Sequence, residues 1–263
     1  MSAFKEYLSS RYSRGLSIFG RFRRNRWSMF GLFLLILFAV MATVGPYFSP
    51  YDPLQIDLSD RLSPPSNHHP LGTDGLGRDI LARITYGSRI SITAGLTVIA
   101  VALVFGVPLG LIAGFYGGRI DQLISRVIDI FLAFPAVLLA IAVVSALGPG
   151  LYNAVLAIGI AETPLFIRII RGAAISIREN EYIEAAKAVG ESKSQVLYRH
   201  VLPNSLAIII VTATLRLPMS ILMTAGLSFL GLGATPPTPE WGALIADGRD
   251  FIVAAPHVSM FPG

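Results

Sequence analysis

Apolar residues in this chain run in long, nearly uncharged blocks separated by short polar stretches. From Trp27 to Tyr51 there are 25 residues without a charge. A helix needs about 20 apolar residues to cross a bilayer, so this block predicts a first span at 29–48. A second block, Ile90 to Gly118, predicts a span at 90–115. A third runs from Ile130 to Ala161 and contains Gly148-Pro149-Gly150, a strong turn signal that splits it into spans at 123–147 and 151–170. A fifth span is expected at 204–232. The final apolar stretch, Phe251–Gly263, is too short to cross and is read as an outer loop reaching 257 and the start of a sixth span at 258–263, with the chain cut off there. The remaining segments are a basic tail at 1–28 and outer loops at 49–89 and 233–257. Span 90–115 to residue 263 forms the core.

Composition agrees with this layout. Hydrophobic residues make up 53% of the chain and charged residues 14%, against roughly 25% charged in a soluble domain. A soluble protein this apolar would expose large hydrophobic patches, and a disordered one needs the opposite balance. The fold class is therefore an all-α polytopic membrane protein. The absence of cysteine excludes disulfides, iron–sulfur clusters and cysteine nucleophiles.

The net charge of +5 is orientation information and does not point to nucleic acid. Fifteen of the 21 Lys/Arg fall in 1–28, 116–126 and 168–202; five fall in 50–89 and 234–257, where acids outnumber them. Basic residues accumulate on the cytoplasmic side, which places the N-terminus inside. The basic start followed by an apolar run also resembles a signal peptide. The run is too long for one, and no small-residue cleavage site follows it.

Residues 176–203 are too polar to span. Glu179 to Val189 are good helix formers, and Tyr182, Ala185, Ala186 and Val189 share one face. Gly190 stops the helix. Ser192-x-x-Gln195 forms a capping-box pattern that opens a second short helix, and Pro203 separates it from the next span. Periodicity alone leaves two readings: a connecting helical hairpin, or a docking element whose small alanines allow close approach.

The same segment resembles the EAA motif of ATP-binding-cassette (ABC) importer permeases: Glu184-Ala185-Ala186, then Gly190, then Leu202-Pro203. It departs from that motif in placing His200 at an apolar position. The runs His69–Ser91, Arg119–Pro135 and Leu227–Gly242 are similar to signatures of dipeptide, oligopeptide and nickel permeases. The N-terminal region with Pro50-Tyr51-Asp52-Pro53 resembles that of the second permease subunit of such systems. The resemblance covers about residues 20–263 and implies an importer transmembrane domain of type I. It implies alternating-access import of di- or oligopeptides, with nickel or another small ligand as the alternative. It also implies ATPase coupling through Tyr182, Glu184, Ala185, Ala186 and Gly190. The implied partners are a homologous permease subunit, two ATPase subunits that hold ATP and Mg, and an extracytoplasmic binding protein, in a bacterial or archaeal cytoplasmic membrane.

Catalytic chemistry is not encoded in any motif found. There is no G-x-x-x-x-G-K-[ST] phosphate loop, no H-E-x-x-H and no G-x-S-x-G, so the chain is expected to be non-catalytic and to hold no cofactor. His68-His69 lies in a Pro-rich outer loop and is read as solvated rather than metal-binding. Glu162 and Arg216 lie deep within spans, where charges usually face the protein interior or a wet cavity, often paired. They are candidates for the translocation path, weighed against a structural ion pair. Pro135, Pro164 and Pro218 are read as bends, either hinges or static packing features. A channel or regulatory membrane protein without an ATPase is the rival class, and an intramembrane enzyme a further one that lacks a catalytic constellation.

Overall fold

The computed structural model describes residues 25–263; the greater part of the basic tail expected at 1–28 lies outside them. The chain divides into two compact units, Met1–Phe48 and Ser49–Gly263. In the first, helix α1 (Arg26–Thr43) is followed by the short α2 (Gly45–Phe48). Asn25 caps α1 by accepting a hydrogen bond from the Trp27 amide at 3.0 Å. The helix is apolar all round and nearly unburied, as a lipid-facing helix is.

The second unit contains α3 (Ile80–Tyr116), α4 (Gly118–Leu132), α5 (Ala136–Leu147), α6 (Leu151–Arg178), α7 (Glu181–Ala188), α8 (Lys193–Val196), α9 (Leu202–Phe229), α10 (Trp241–Gly248) and α11 (His257–Met260). Among the described residues four helices are long and apolar enough to cross a membrane, and five spans result if the bent pair α4–α5 counts as one.

Several observed bounds differ from those expected. The span expected at 123–147, with a bend at Pro135, is two helices meeting at 87°. Pro135 has no amide hydrogen to continue α4 and disfavours helical geometry at Phe134, so the chain turns and α5 starts afresh behind it. Helix α3 starts at Ile80 rather than 90, inside the expected outer loop 49–89. Asp79 caps it by accepting from the Ala82 amide at 2.7 Å, and Arg83 is buried against Asp74. Helix α6 continues past 170 to Arg178. The loop expected at 233–257 contains α10. A hydropathy edge marks where the bilayer ends, and a helix is free to run on beyond it.

The centre of the unit is the pairing of α3 with α6. Gly106, Gly110 and Gly114, spaced by four, present a groove to α6. A Cβ at Gly106 would stand 2.7 Å from the Phe166 Cβ, and one at Gly114 only 2.5 Å from the Arg171 carbonyl. Small residues at this spacing let two backbones approach, which is how helices gain packing energy where lipid removes the hydrophobic driving force. Two hydrophobic clusters follow from this contact. One joins Ala94, Val98, Ala140, Val144, Ile158 and Leu227. The other joins Ile99, Phe115, Phe166 and Ile170 to Ile183, Ala186, Val196 and Val201.

Candidate functional site

The segment between α6 and α9 is held rigidly by its own backbone chemistry. Gly190 sits at φ +92°, the left-handed region that favours glycine. Its amide donates to the Lys187 carbonyl and the Glu191 amide donates to the Ala186 carbonyl, both at 3.1 Å, which is the Schellman termination of α7. Ser192 and Gln195 then form the capping box of α8 in both directions. Between α8 and α9 the backbone widens into a π turn at Leu197–Val201, immediately before Pro203. The turn accommodates the proline ring, which would clash with a carbonyl of the preceding helical turn.

This segment has two faces. Ile183 and Ala186 are buried against Val196, Leu197 and Val201, anchoring α7 to the ends of α3 and α6. Tyr182, Glu184, Ala185 and Val189 point outward, with Val189 82% exposed. The expected face therefore splits: Ala186, grouped above with the coupling positions, belongs to the anchoring side. Gly190 is exposed but acts through its backbone. Glu184 makes no ion pair among the described residues. His200, the departure from the family pattern, meets Glu191 (Nε2 to Oε2, 2.9 Å), and its ring lies 6.4 Å from that of Tyr182.

Glu162 of α6 and Arg216 of α9 meet inside the helix bundle. Arg216 Nε donates to Glu162 Oε2 at 2.8 Å, and Nη2 donates to both carboxylate oxygens at 2.5 and 2.6 Å. Counted from the ends of their helices at Arg178 and Leu202, the two stand about 24 and 21 Å along, so the antiparallel helices bring them level. Glu162 is 1% exposed, whereas 28% of the Arg216 side chain remains accessible.

On the opposite side, the expected signature runs fold onto one another. Asp74 accepts from Arg78 Nε at 2.7 Å and from Arg83 Nη1, and both arginines reach Asp247 at 3.4–3.5 Å. Ser91 Oγ donates to Glu240 Oε1 at 3.0 Å, while Glu240 Oε2 caps α10 by accepting from the Ala243 amide at 3.1 Å. Gly87 lies so close to the Pro239 carbonyl that a Cβ there would overlap it. His69 differs from the solvated residue expected: its Nδ1 meets Asp79 Oδ2 at 2.9 Å, and most of the side chain is buried. His68 is exposed. Among the described residues no group of three or more His, Asp or Glu is arranged to hold a metal.

The glycine stripe of α3 and this polar cap were not singled out as sites from the sequence. The Gly-x-x-x-Gly-x-x-x-Gly spacing was the available signal for the stripe. No linear signal joins Ser91 to Glu240.

Comparison with known proteins places this architecture. Residues 106–262 match the family described as binding-protein-dependent transport system inner membrane component, and residues 13–65 match the N-terminal transmembrane domain of oligopeptide transport permease C. The dipeptide transport system permease protein DppC of Alkalihalophilus pseudofirmus is 48% identical over 245 residues, covering 93% of this chain and 81% of the relative. The glutathione transport system permease protein GsiD of Pectobacterium atrosepticum is 46% identical over 233 residues, covering 88% and 77%. The fold resembles that of the MetNI methionine ABC transporter in its inward-facing conformations, with a TM-score of 0.57 at 19% identity over 68% of this chain and 86% of that one. The long apolar helices, the segment folded between α6 and α9 and the matched signatures agree: this multi-pass chain belongs to the binding-protein-dependent transport inner membrane permeases, as a non-catalytic subunit with an N-terminal region of the oligopeptide-permease-C type.

Proposed function

We propose that this chain forms half of a translocation path for dipeptides and related small peptides, glutathione included, paired with a second homologous permease. Two ATPase subunits supply the energy and an extracytoplasmic binding protein delivers the substrate. The observation that carries this reading is the two-faced α7. Its Ile183–Ala186 side is locked into the core while Tyr182, Glu184, Ala185 and Val189 stand exposed at the end of the bundle. A rigid exposed helix joined to α3, α6 and α9 through one hydrophobic cluster transmits displacement of a bound ATPase to the transmembrane helices. ATP then acts by binding one conformation of the assembly more favourably than the other.

The excess of Lys/Arg in 1–28, 116–126 and 168–202 supports placing the N-terminus and the coupling segment in the cytoplasm. Glu162 and Arg216 belong to the path in this reading: their pair lies at mid-depth, and part of the Arg216 side chain stays accessible.

The test is co-purification with the ATPase subunits together with ATP-driven dipeptide uptake in reconstituted vesicles. Ala185→Glu and Val189→Asp abolish both while the chain still inserts and pairs with the second permease. Retained ATPase binding in both variants overturns the assignment of this face.

A further inference from the structure

Helix α4 has a property that a spanning segment does not need. It carries two distinct exposed sectors beside the one that makes its ion pairs to α6. Ile120, Leu123, Val127 and Ile130 form an exposed apolar stripe, with Leu123 and Ile130 about two-thirds exposed. Arg119, Gln122 and Arg126 form an exposed polar stripe about 100° further round the helix, and neither arginine makes an ion pair among the described residues. A helix facing lipid throughout has no use for the second stripe, and a helix in water has no use for the first.

The third sector fixes the direction of α4. Asp121 accepts a two-pronged contact from Arg171, with Nη2 to Oδ2 at 2.7 Å, and Asp129 accepts from Arg168 Nη2 at 2.6 Å. Moving from Asp121 to Asp129 advances about 12 Å along α4, whereas moving from Arg171 to Arg168 advances only about 4.5 Å along α6. The two helices therefore cross steeply. The 87° bend at Pro135 agrees, because α5 packs along α6 through Ala140, Val144, Val155 and Ile158. If α6 crosses the bilayer, α4 lies close to its plane, near the end of α6 that leads into the coupling segment.

We propose that α4 is an interfacial helix: its Ile120–Ile130 stripe is sunk into the acyl boundary of the cytoplasmic leaflet, and Arg119 and Arg126 bind the headgroups of anionic phospholipid. Charge complementarity selects this occupant. Two unpaired guanidinium groups border an apolar stripe, which is the composition of helices that lie in anionic interfaces. Because α4 is joined to α6 by both ion pairs, and α6 runs into the coupling segment, the lipid surface braces the same helix that receives the ATPase stroke. The choice of leaflet rests on the cytoplasmic placement of that segment proposed above.

The chain has no cysteine, so single-cysteine variants take one nitroxide label each. In the assembled transporter in nanodiscs, labels at 120, 123, 127 and 130 collide with oxygen in preference to a water-soluble nickel chelate. They report one common depth of about 5–10 Å, while labels at 119, 122 and 126 favour the chelate. Protection from both reagents at 123 and 127 identifies a protein interface and overturns the proposal. A depth difference of about 15 Å between 120 and 130 identifies a spanning helix and overturns it as well. A photo-cross-linking residue at 122 captures phosphatidylglycerol in excess over phosphatidylcholine, and the excess falls about fivefold for each arginine replaced by glutamine and is kept by lysine. An excess unchanged in Arg119→Gln/Arg126→Gln removes the headgroup contact. These variants leave α7 untouched, so retained ATPase co-purification separates failure here from failure of the proposed function.

Discussion

The Glu162–Arg216 pair makes an asymmetric prediction. Arg216→Met leaves a carboxylate that is 1% exposed with its three hydrogen bonds removed. Stranding one partner of a buried ion pair costs about 3–5 kcal/mol. Glu162→Gln keeps the side-chain volume and one acceptor oxygen, and the arginine side chain it leaves is 28% accessible. That loss corresponds to a weakened hydrogen-bonded contact, about 1–3 kcal/mol. Replacing both, Glu162→Leu with Arg216→Met, removes the two desolvated charges together and returns stability to within about 1 kcal/mol of the parent. The assay is thermal unfolding of the assembled complex in detergent, where each kcal/mol corresponds to about 2–4 °C for a chain of this size. Arg216→Met thus falls by about 10 °C, Glu162→Gln by about half of that, and the double variant recovers. A double variant no more stable than Arg216→Met alone, or equal losses in the two singles, refutes the coupling read from the geometry. Uptake separates the two roles weighed for the pair. If the double variant folds and transports at the parental rate, the pair is structural and lies outside the path.

Other expectations follow from the packing. Gly114→Val drives a side chain into the Arg171 carbonyl and Ala174, and it lowers the yield of folded, assembled complex. Gly172→Ala in α6 meets nothing within 4 Å and leaves the melting temperature unchanged or slightly raised. Gly190→Ala places a Cβ in the left-handed region and costs about 1 kcal/mol, read as a lower melting temperature, and Gly190→Asn costs less. Glu240→Ala removes the α10 cap and the partner of Ser91, and costs about 1–2 kcal/mol. Glu240→Gln restores part of the loss, and an unchanged melting temperature in Glu240→Ala rules out the buried network as a source of stability.

Bulk chemistry alone determines the broad identity of this protein. Blocks of 25 uncharged residues have no stable place in water, and the bias of Lys/Arg to one set of loops supports the orientation proposed for them. Gly190 and the Ser192–Gln195 box were legible for the same kind of reason. Helix ends are set by residues adjacent in sequence, so α7 and α8 terminate where local hydrogen bonding requires. The tertiary structure alone decided which way each face points. Tyr182, Ala185, Ala186 and Val189 share a periodicity, yet only contact with Val196 and Val201 separates the anchor Ala186 from the exposed remainder. Hydropathy read 123–147 as one span, because an average along the chain is blind to direction. Direction came from Pro135 and from two ion pairs to α6. Glu162 and Arg216 could each be placed in depth from the sequence, but their bond spans 54 positions and depends on α6 and α9 lying antiparallel at the right rotation. Periodicity constrains a helix about its own axis, and only packing fixes that axis against its neighbours.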